Sequence, residues 1–240
     1  MQNHQFNTGV ISGTEVFKEA WKLIKDQYWL IFGITIVGKL IGGAVPVVII
    51  GPMMCGIYLC LFDKMDGREV KFDRLFKGFD FFGPSLIVAA VIMVPMIVLI
   101  FAIYIPIIAV AMAGPRMSES ELIPLLIGTV LFELVVVFIM VCFHTLLIFS
   151  FPLIADRKLG GIDAMKLSAK AVWHNLGGIA SMIGVSFVVA IVGYLMLCIG
   201  VYLALPLIMM SWAVAYRRVF PKIEDGRSLE PPPISAYGGG

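Results

Sequence analysis

One apolar stretch, residues 122–157, constrains the fold of this chain more than any other feature of its sequence. It is apolar almost without a break, and as a single helix it would reach about 50 Å at about 1.5 Å per residue. The hydrocarbon core of a bilayer is only about 30 Å thick. The stretch therefore predicts a membrane helix that tilts, bends or projects beyond the bilayer.

Several other apolar runs exceed the roughly 18 residues that indicate a membrane span. Only 14% of the residues are charged, whereas a soluble domain has about a quarter. The runs are continuous, unlike the alternating pattern of a transmembrane barrel. We therefore expect an all-α, multi-pass integral membrane protein that forms a six-helix bundle.

The apolar runs define the predicted domain organisation. A flexible N-terminus, residues 1–13, precedes the membrane domain, residues 14–220, and a disordered cytoplasmic tail rich in Pro and Gly, residues 221–240, follows it. Pro46, with Gly51 and Pro52, marks the turn or bend between the first two spans. The six spans are predicted at about residues 29–50, 51–62, 84–113, 122–155, 176–198 and 201–220.

Three charged segments place apolar residues on one helical face and charged residues on the other. We expect each to be an amphipathic helix that lies along the membrane surface, with aromatic side chains as anchors. The segments and their anchors are residues 15–28 with Trp21, residues 72–82 with Phe72, Phe76 and Phe79, and residues 165–174, where Met165, Ala169, Val172 and Trp173 share a face.

The lysines and arginines lie almost entirely on one side of the predicted spans. Of the 18, only Lys39, within the first span, and Arg116, in the loop before the fourth, depart from this pattern. Because basic residues mark the cytoplasmic side, both termini are predicted to be cytoplasmic. Membrane lipids are the partners that this distribution indicates, and we expect no nucleic acid.

The chain runs three times from an amphipathic helix into an apolar hairpin. Residues 17–27 and 165–175 both place lysine at the second and sixth positions, and Asp63 and Asp156 each end a span. This pattern indicates parallel helix-plus-hairpin repeats around an axis near the membrane normal.

A motif near the end of the fourth span carries a family resemblance. Residues 151–156, FPLIAD, are followed by Ala164, Ser168 and Asn175. This pattern resembles one in bacterial multi-pass families that include the membrane domain fused to some glycerophosphodiester phosphodiesterases, and its stand-alone relatives. The resemblance implies a bacterial inner-membrane protein of about six helices and no catalytic residues, because the phosphodiesterase domain is absent. The resemblance also implies a candidate motif at the inner membrane interface, which consists of Pro152, Asp156, Ser168 and Asn175.

Glu133 and Lys39 lie near mid-membrane in the predicted fourth and first spans. Isolated charges are costly there, so intramembrane ionisable residues are functional candidates by default. One hypothesis is an ion pair that joins the two spans. The alternative is that Lys39 extends outward to the interface, while a protonated Glu133 bonds to a neighbouring backbone group or hydroxyl.

His144 follows Glu133 by eleven residues in the same predicted span. As parts of one helix the two side chains would share a face about 16 Å apart along the axis. They can form one polar stripe toward the bundle interior, or two separate packing contacts. A proton relay along the stripe would need intermediate groups, for which the candidates are Ser181, Ser186, Tyr194 and Tyr202.

The sequence contains no residue set typical of a catalytic or cofactor site. It has no pair of intramembrane carboxylates for acid–base chemistry, no cluster with metal-ligand spacing and no phosphate-binding loop. We expect no enzyme activity, no cofactor and no bound metal. The cysteines are interpreted as packing residues; they are Cys55, Cys60, Cys142 and Cys198.

Two functions therefore remain open. The first is a non-enzymatic accessory or scaffold component, or a factor in membrane organisation, which would contact lipids and other membrane-protein subunits. The second is a transporter or channel for a small solute or a lipid, which would use the stripe of Glu133 and His144. An intramembrane enzyme has the least support.

Overall fold

The computed structural model describes residues 6–196 and 199–222, and within these ranges the chain is helical and contains no β-strand. The predicted all-α membrane bundle is confirmed. Two 3₁₀ segments, Phe72–Phe81 and Gly114–Arg116, join longer elements. The α-helices of the described residues are α1 (Gly13–Ile24), α2 (Tyr28–Ala44), α3 (Pro46–Met65), α4 (Phe82–Ala113), α5 (Glu119–Leu146), α6 (Ser150–Arg157), α7 (Gly161–Trp173), α8 (Leu176–Leu195) and α9 (Ile199–Val219).

Five helical segments of the described chain are long and apolar enough to cross a membrane. The pair α1 and α2, bent by 105°, brings the number up to six if it is counted as one broken span. The order of elements also shows a surface segment followed by a helical hairpin three times, as the sequence predicts. The five segments are Val47–Met65, Phe72–Met112, Glu119–Arg157, Leu176–Leu195 and Ile199–Val219.

The first hairpin turns earlier than predicted. α2 ends at Ala44, and Pro46 opens α3, where its missing N–H needs no helical partner. Gly51 and Pro52 lie inside α3 and form no turn. The predicted spans 29–50 and 51–62 are therefore wrong in their boundaries, because the chain reverses at Val45 and gives two helices of 17 and 20 residues.

The N-terminal segment is also different from the prediction. Residues 6–12 are not helical, but their backbone is bonded to the bundle. The N–H of Asn7 donates to the carbonyl of Val219 at 2.8 Å, and the N–H of Gly13 donates to the hydroxyl of Ser181 at 3.1 Å. Because these contacts satisfy backbone groups, the expectation of a flexible N-terminus is wrong for residues 6–12. Residues 1–5 lie outside the described ranges.

The second surface segment is a 3₁₀ helix that lies against α3. Leu75 and Gly78 are buried, and a Cβ on Gly78 would overlap the backbone of α3. Phe72, Phe76 and Phe79 are exposed on the outer side. The segment therefore has an apolar face toward the protein and an aromatic face away from it.

The third surface segment, α7, differs from the predicted face. It buries Ala164, Ser168, Ala171 and Val172, whereas the neighbouring Trp173 remains exposed. The predicted shared face is therefore wrong at Val172, which packs into the core.

The long apolar stretch that dominates the sequence is broken into two helices. α5 ends at Leu146, three residues turn, and α6 begins at Ser150. The hydroxyl of Ser168 on α7 donates to the carbonyl of Leu146 at 2.7 Å and accepts from the N–H of Phe149 at 3.1 Å. The bend that the length of the stretch predicts therefore occurs here, and Ser168 satisfies backbone groups that the break leaves open.

The core is concentrated around α6 and the second half of α9. Phe149 contacts Trp212, Tyr216 and Phe220 through ring pairs 5.9 to 6.4 Å apart. By contrast, α5 has no buried residue, so its apolar side chains face the surroundings that a bilayer would provide. The predicted disordered tail, residues 221–240, lies outside the described residues from 223 onward.

Candidate functional site

Charged segments that are far apart in the sequence meet at one end of the bundle, which we call the basic end. This finding agrees with the predicted grouping of basic residues. The ion pairs that join the segments are Lys64 with Asp26 at 2.6 Å, Lys222 with Asp66 at 3.2 Å, Arg217 with Asp156 at 2.8 Å and Arg218 with Glu19 at 2.6 Å.

A network around Asp63 holds the end of α3. The buried Asp63 carboxylate accepts hydrogen bonds from Arg68 and lies 3.0 Å from Nε of Arg74. The bond to Asp63 raises the pKa of Arg68. Partial burial acts to raise the pKa of Asp66, but hydrogen bonds from Lys222 and Arg68 outweigh it and leave that pKa below its ordinary value. Each of these cations lies against a carboxylate, so the network stabilises the fold.

The motif residues at the basic end also have structural contacts. Asp156 accepts from the Tyr216 hydroxyl at 2.7 Å and from Arg217 at 2.9 Å, which joins α6 to α9. Pro152 is buried in the first turn of α6, where proline is tolerated. Asp156 therefore joins α6 to α9, and Pro152 lies inside the packed part of α6.

Asn175 fixes the N-terminal segment. Its carbonyl oxygen accepts from the N–H of Gly9 at 2.9 Å, and its amide donates to the carbonyls of Asn7 at 3.1 Å and Ala171 at 2.9 Å. One side chain thus satisfies three backbone groups. Asn175 and Ser168 both form hydrogen bonds to non-helical backbone, but at different places. Asn175 bonds to the N-terminal segment, and Ser168 bonds to the break between α5 and α6.

An open cavity of about 480 Å³ lies between the helices of the bundle, and we call it the chamber. At about 1.5 Å per residue, Tyr58 lies about 10 Å along α3 from Met65, where that helix ends at the basic end. Lys39 lies about 16 Å along α2 from Tyr28, where that helix begins. The chamber therefore lies within the membrane-spanning region. Its polar lining comes from four helices, and its remaining walls are mainly apolar. The residues that bear polar groups are Lys39, Tyr58, His144, Thr145 and Trp212.

Lys39 is the distinctive residue of the chamber. It is partly buried, and no described residue gives it an ion pair or a side-chain hydrogen bond. No acid is among the described residues that line the chamber. A lysine ammonium has three N–H donors and no acceptor, so the lining favours an anionic occupant.

His144 borders the chamber with both ring nitrogens close to carbonyl oxygens. Nδ1 lies 2.8 Å from the carbonyl of Met140, and Nε2 lies 3.2 Å from the carbonyl of Ile92 on α4. A neutral imidazole can donate to only one of these acceptors, whereas an imidazolium donates to both. Both ring nitrogens therefore lie against backbone carbonyls of the bundle.

Glu133 lies elsewhere, in a cavity of about 150 Å³ between α4 and α5. Its Oε1 is buried without a hydrogen-bond partner among the described residues, and the nearby Thr129 hydroxyl donates to the carbonyl of Leu125. The hypothesis of a Lys39–Glu133 ion pair is wrong. The reason is packing: α2 lies against α3 and α9, whereas α5 lies against α4 and α7.

The candidate relay residues do not connect Glu133 to His144. The Ser181 hydroxyl accepts from Gly13 at the N-terminal segment, and the buried Ser186 hydroxyl has no partner among the described residues. Tyr194 and Tyr202 are more than half exposed. The predicted polar stripe therefore divides into two unconnected environments.

An apolar groove of about 550 Å³ adjoins the chamber, between α5, α7 and α8. Both spaces are bordered by Val141, Thr145 and Ile183.

Sequence reasoning identified Lys39 and His144 but not the chamber itself, because Tyr58 and Trp212 reach it only through the packing of α3 and α9. No local motif marks that convergence.

In the part of the chain that the structure describes, no group of three or more His, Cys, Asp and Glu residues could hold a metal ion. Comparisons with protein-family models, curated proteins and solved structures found no match to this chain.

Proposed function

We propose that this protein is a non-enzymatic integral membrane protein that binds an anionic group, carried by a lipid or by a small solute, in the chamber. Because the chamber lies among the membrane-spanning helices, the protein would move that molecule through the membrane or retain it there. The observation that carries the proposal is Lys39, a partly buried lysine in a cavity whose described lining contains no acid.

The physical argument concerns the solvation of the Lys39 ammonium. A buried ion is strongly destabilising unless a counter-charge or hydrogen bonds replace its water. Residues of this type inside membranes face cavities or the bundle interior and mark substrate or ion pathways. A phosphate or carboxylate in the chamber would supply the missing counter-charge.

The other polar groups of the lining fit the same ligand chemistry. The indole N–H of Trp212 is a donor, and the hydroxyl of Tyr58 can donate. Hydrogen bonds from charged donors to phosphate or carboxylate are about twice as strong as neutral ones. The set therefore favours an anion over a neutral or zwitterionic group.

We propose that the basic end and both termini lie on the cytoplasmic side of the membrane, which is a bacterial inner membrane if the resemblance of residues 151–175 holds. The support for this orientation is the asymmetric distribution of lysine and arginine in the sequence and the meeting of these segments at one end of the bundle. Such an end would also contact anionic headgroups of the inner leaflet.

The test compares anion binding by the wild type, Lys39→Met and Lys39→Arg. The protein would be purified in mild detergent, and binding of phosphatidylglycerol, phosphatidylcholine and inorganic phosphate would be measured by native mass spectrometry and equilibrium dialysis. We expect a preference for the anionic probes that falls about tenfold or more in Lys39→Met, since charged hydrogen bonds contribute about 1.5–3 kcal/mol. Lys39→Arg retains the charge and should keep the preference. Equal binding of anionic probes by all three proteins would contradict the proposal.

An accessory or scaffold role is the second candidate, and the hairpin of α4 and α5 favours it. α5 buries none of its residues, and the hairpin carries the unpartnered carboxylate oxygen of Glu133. A photo-crosslinker at the exposed Val135 would capture a subunit that packs on this hairpin. Crosslinks to one defined protein, absent when the probe is at exposed Leu40 on α2, would favour this role. Crosslinks to lipid alone would contradict a subunit on this hairpin and would favour the anion-binding proposal.

A further inference from the structure

We infer that the anionic ligand is a lipid whose acyl chain lies in the apolar groove between α5, α7 and α8 while its headgroup occupies the chamber. This inference rests on the proposed function and decides between its two ligand sources, a lipid headgroup and a free anion. The arguments are the common boundary of the two spaces, the chemistry of the groove and its opening to the exterior.

The chamber and the groove are adjacent spaces with a common boundary. Val141 and Thr145 on α5 and Ile183 on α8 border both of them. A molecule with a polar end in the chamber therefore has the groove directly across this boundary. A small anion would occupy the chamber alone and make no use of the groove.

The groove has the composition expected for a hydrocarbon chain. Its described lining has no charged residue, and its volume of about 550 Å³ lies within the range of about 300–1,000 Å³ that is typical of ligand pockets. Phe138 and Phe187, which border it, are each more than 60% exposed, so the groove is open toward the lipid phase. The exposed Trp173 lies at the end of α7, where an aromatic side chain suits the membrane interface.

Gly184 keeps part of the groove open. It lies on α8 among the lining residues, and a Cβ at this position would meet no atom within 4 Å. A Cβ here is therefore accommodated without displacing a helix, and the side chain starts at the lining of the groove. Gly177, also on α8, has the same freedom but is not part of the lining, so it provides a matched control position.

The headgroup and the acyl chain of the lipid would contribute differently to its binding free energy. Lipid tails are as apolar as the groove, so a chain that moves from the bilayer into it is stabilised by van der Waals packing against the lining and not by the hydrophobic effect. The headgroup would supply most of the selectivity for charge, whereas the groove would select for the presence and fit of a chain. Filling the groove should therefore weaken lipid binding and leave phosphate binding unchanged.

The experiment measures phosphatidylglycerol and inorganic phosphate binding by the wild type, Gly184→Phe, Gly177→Phe and Lys39→Met. We expect Gly184→Phe to lose about tenfold in lipid affinity and to bind phosphate as the wild type does, with Gly177→Phe unchanged for both probes. Unchanged lipid binding by a folded Gly184→Phe protein would overturn the groove assignment while leaving the chamber intact. Undiminished binding of both probes by Lys39→Met would instead overturn the proposed function.

A second measurement does not depend on any substitution. The exposed Cys142 lines the groove, whereas Cys55 and Cys60 are buried. Bound phosphatidylglycerol should slow the labelling of Cys142 by monobromobimane several-fold, with the labelled site identified by peptide mass spectrometry. Equal labelling rates with and without saturating lipid would contradict a chain in the groove.

Discussion

Lys39 and His144 lie on α2 and α5, helices that are far apart in the sequence, and they border the same chamber. His144 has carbonyl acceptors at both ring nitrogens, and Lys39 has no acid partner among the described residues. A lysine and a histidine thus border one space whose described lining contains no acid. This relationship is the basis of the proposed anion binding.

Loss of the Ser168 hydroxyl should destabilise the break between α5 and α6. Ser168→Ala removes the partners of the Leu146 carbonyl and the Phe149 N–H, and an unsatisfied buried polar group costs about 1–3 kcal/mol. We expect a lower Tm in detergent. Ser186→Ala is the matched control, because its buried hydroxyl has no partner among the described residues and its removal should be neutral or stabilising. A Tm for Ser168→Ala equal to that of the wild type would contradict this role.

Asn175→Ala should release the N-terminal segment from the bundle. The substitution removes an acceptor for Gly9 and a donor for Asn7, so hydrogen exchange at residues 7–9 should become faster than in the wild type. Asn175→Asp keeps the acceptor for Gly9 and should give an intermediate rate. Wild-type exchange at Gly9 in Asn175→Ala would show that other contacts hold the segment.

Glu133→Gln should leave both stability and anion binding close to wild-type values. The Oε1 atom of Glu133 forms no hydrogen bond with a described residue, and Lys39 lies in a different cavity, so the substitution breaks no ion pair. Removing an acid from a membrane helix can even stabilise the protein, because it removes a desolvation penalty. A large fall in Tm, reversed by also replacing Lys39, would restore the ion-pair hypothesis.

Acid should weaken the network at the basic end through Asp66. Its pKa in the folded protein lies below the ordinary value of 3.8, so the stabilisation is present above pH 3.8 and is lost as the pH falls through the folded pKa. For an ion pair near the surface the effect is about 1 kcal/mol or less. Tm measured from pH 6 to pH 3 should fall less in Asp66→Asn than in the wild type. Parallel curves would contradict a stabilising role for this carboxylate.

The features that depend on composition and periodicity were predictable from the sequence. Continuous apolar runs indicate membrane helices whatever their packing, and charge asymmetry groups the segments that contain Lys64, Asp156 and Lys222 at one end. The break at residues 147–149 was predictable only as one of three options for an overlong helix. Its position depends on Ser168, which reaches it through tertiary packing.

The sites were less predictable than the fold. Lys39, His144 and Glu133 are identifiable as intramembrane polar residues, but their grouping depends on which helices are neighbours. Pairing Lys39 with Glu133 assumed contact between α2 and α5, whereas α2 packs against α3 and α9. The Asn175 contact with residues 7–9 was also inaccessible, because a polar segment of this kind has no periodicity that would indicate a bound conformation.

The most direct test of the central claim is the affinity of the purified protein for phosphatidylglycerol relative to phosphatidylcholine, measured for Lys39→Met and Lys39→Arg beside the wild type. The account predicts that the wild type and Lys39→Arg prefer the anionic lipid and that Lys39→Met loses this preference by about tenfold or more. The same preference in all three proteins would contradict the assignment of the chamber as an anion site.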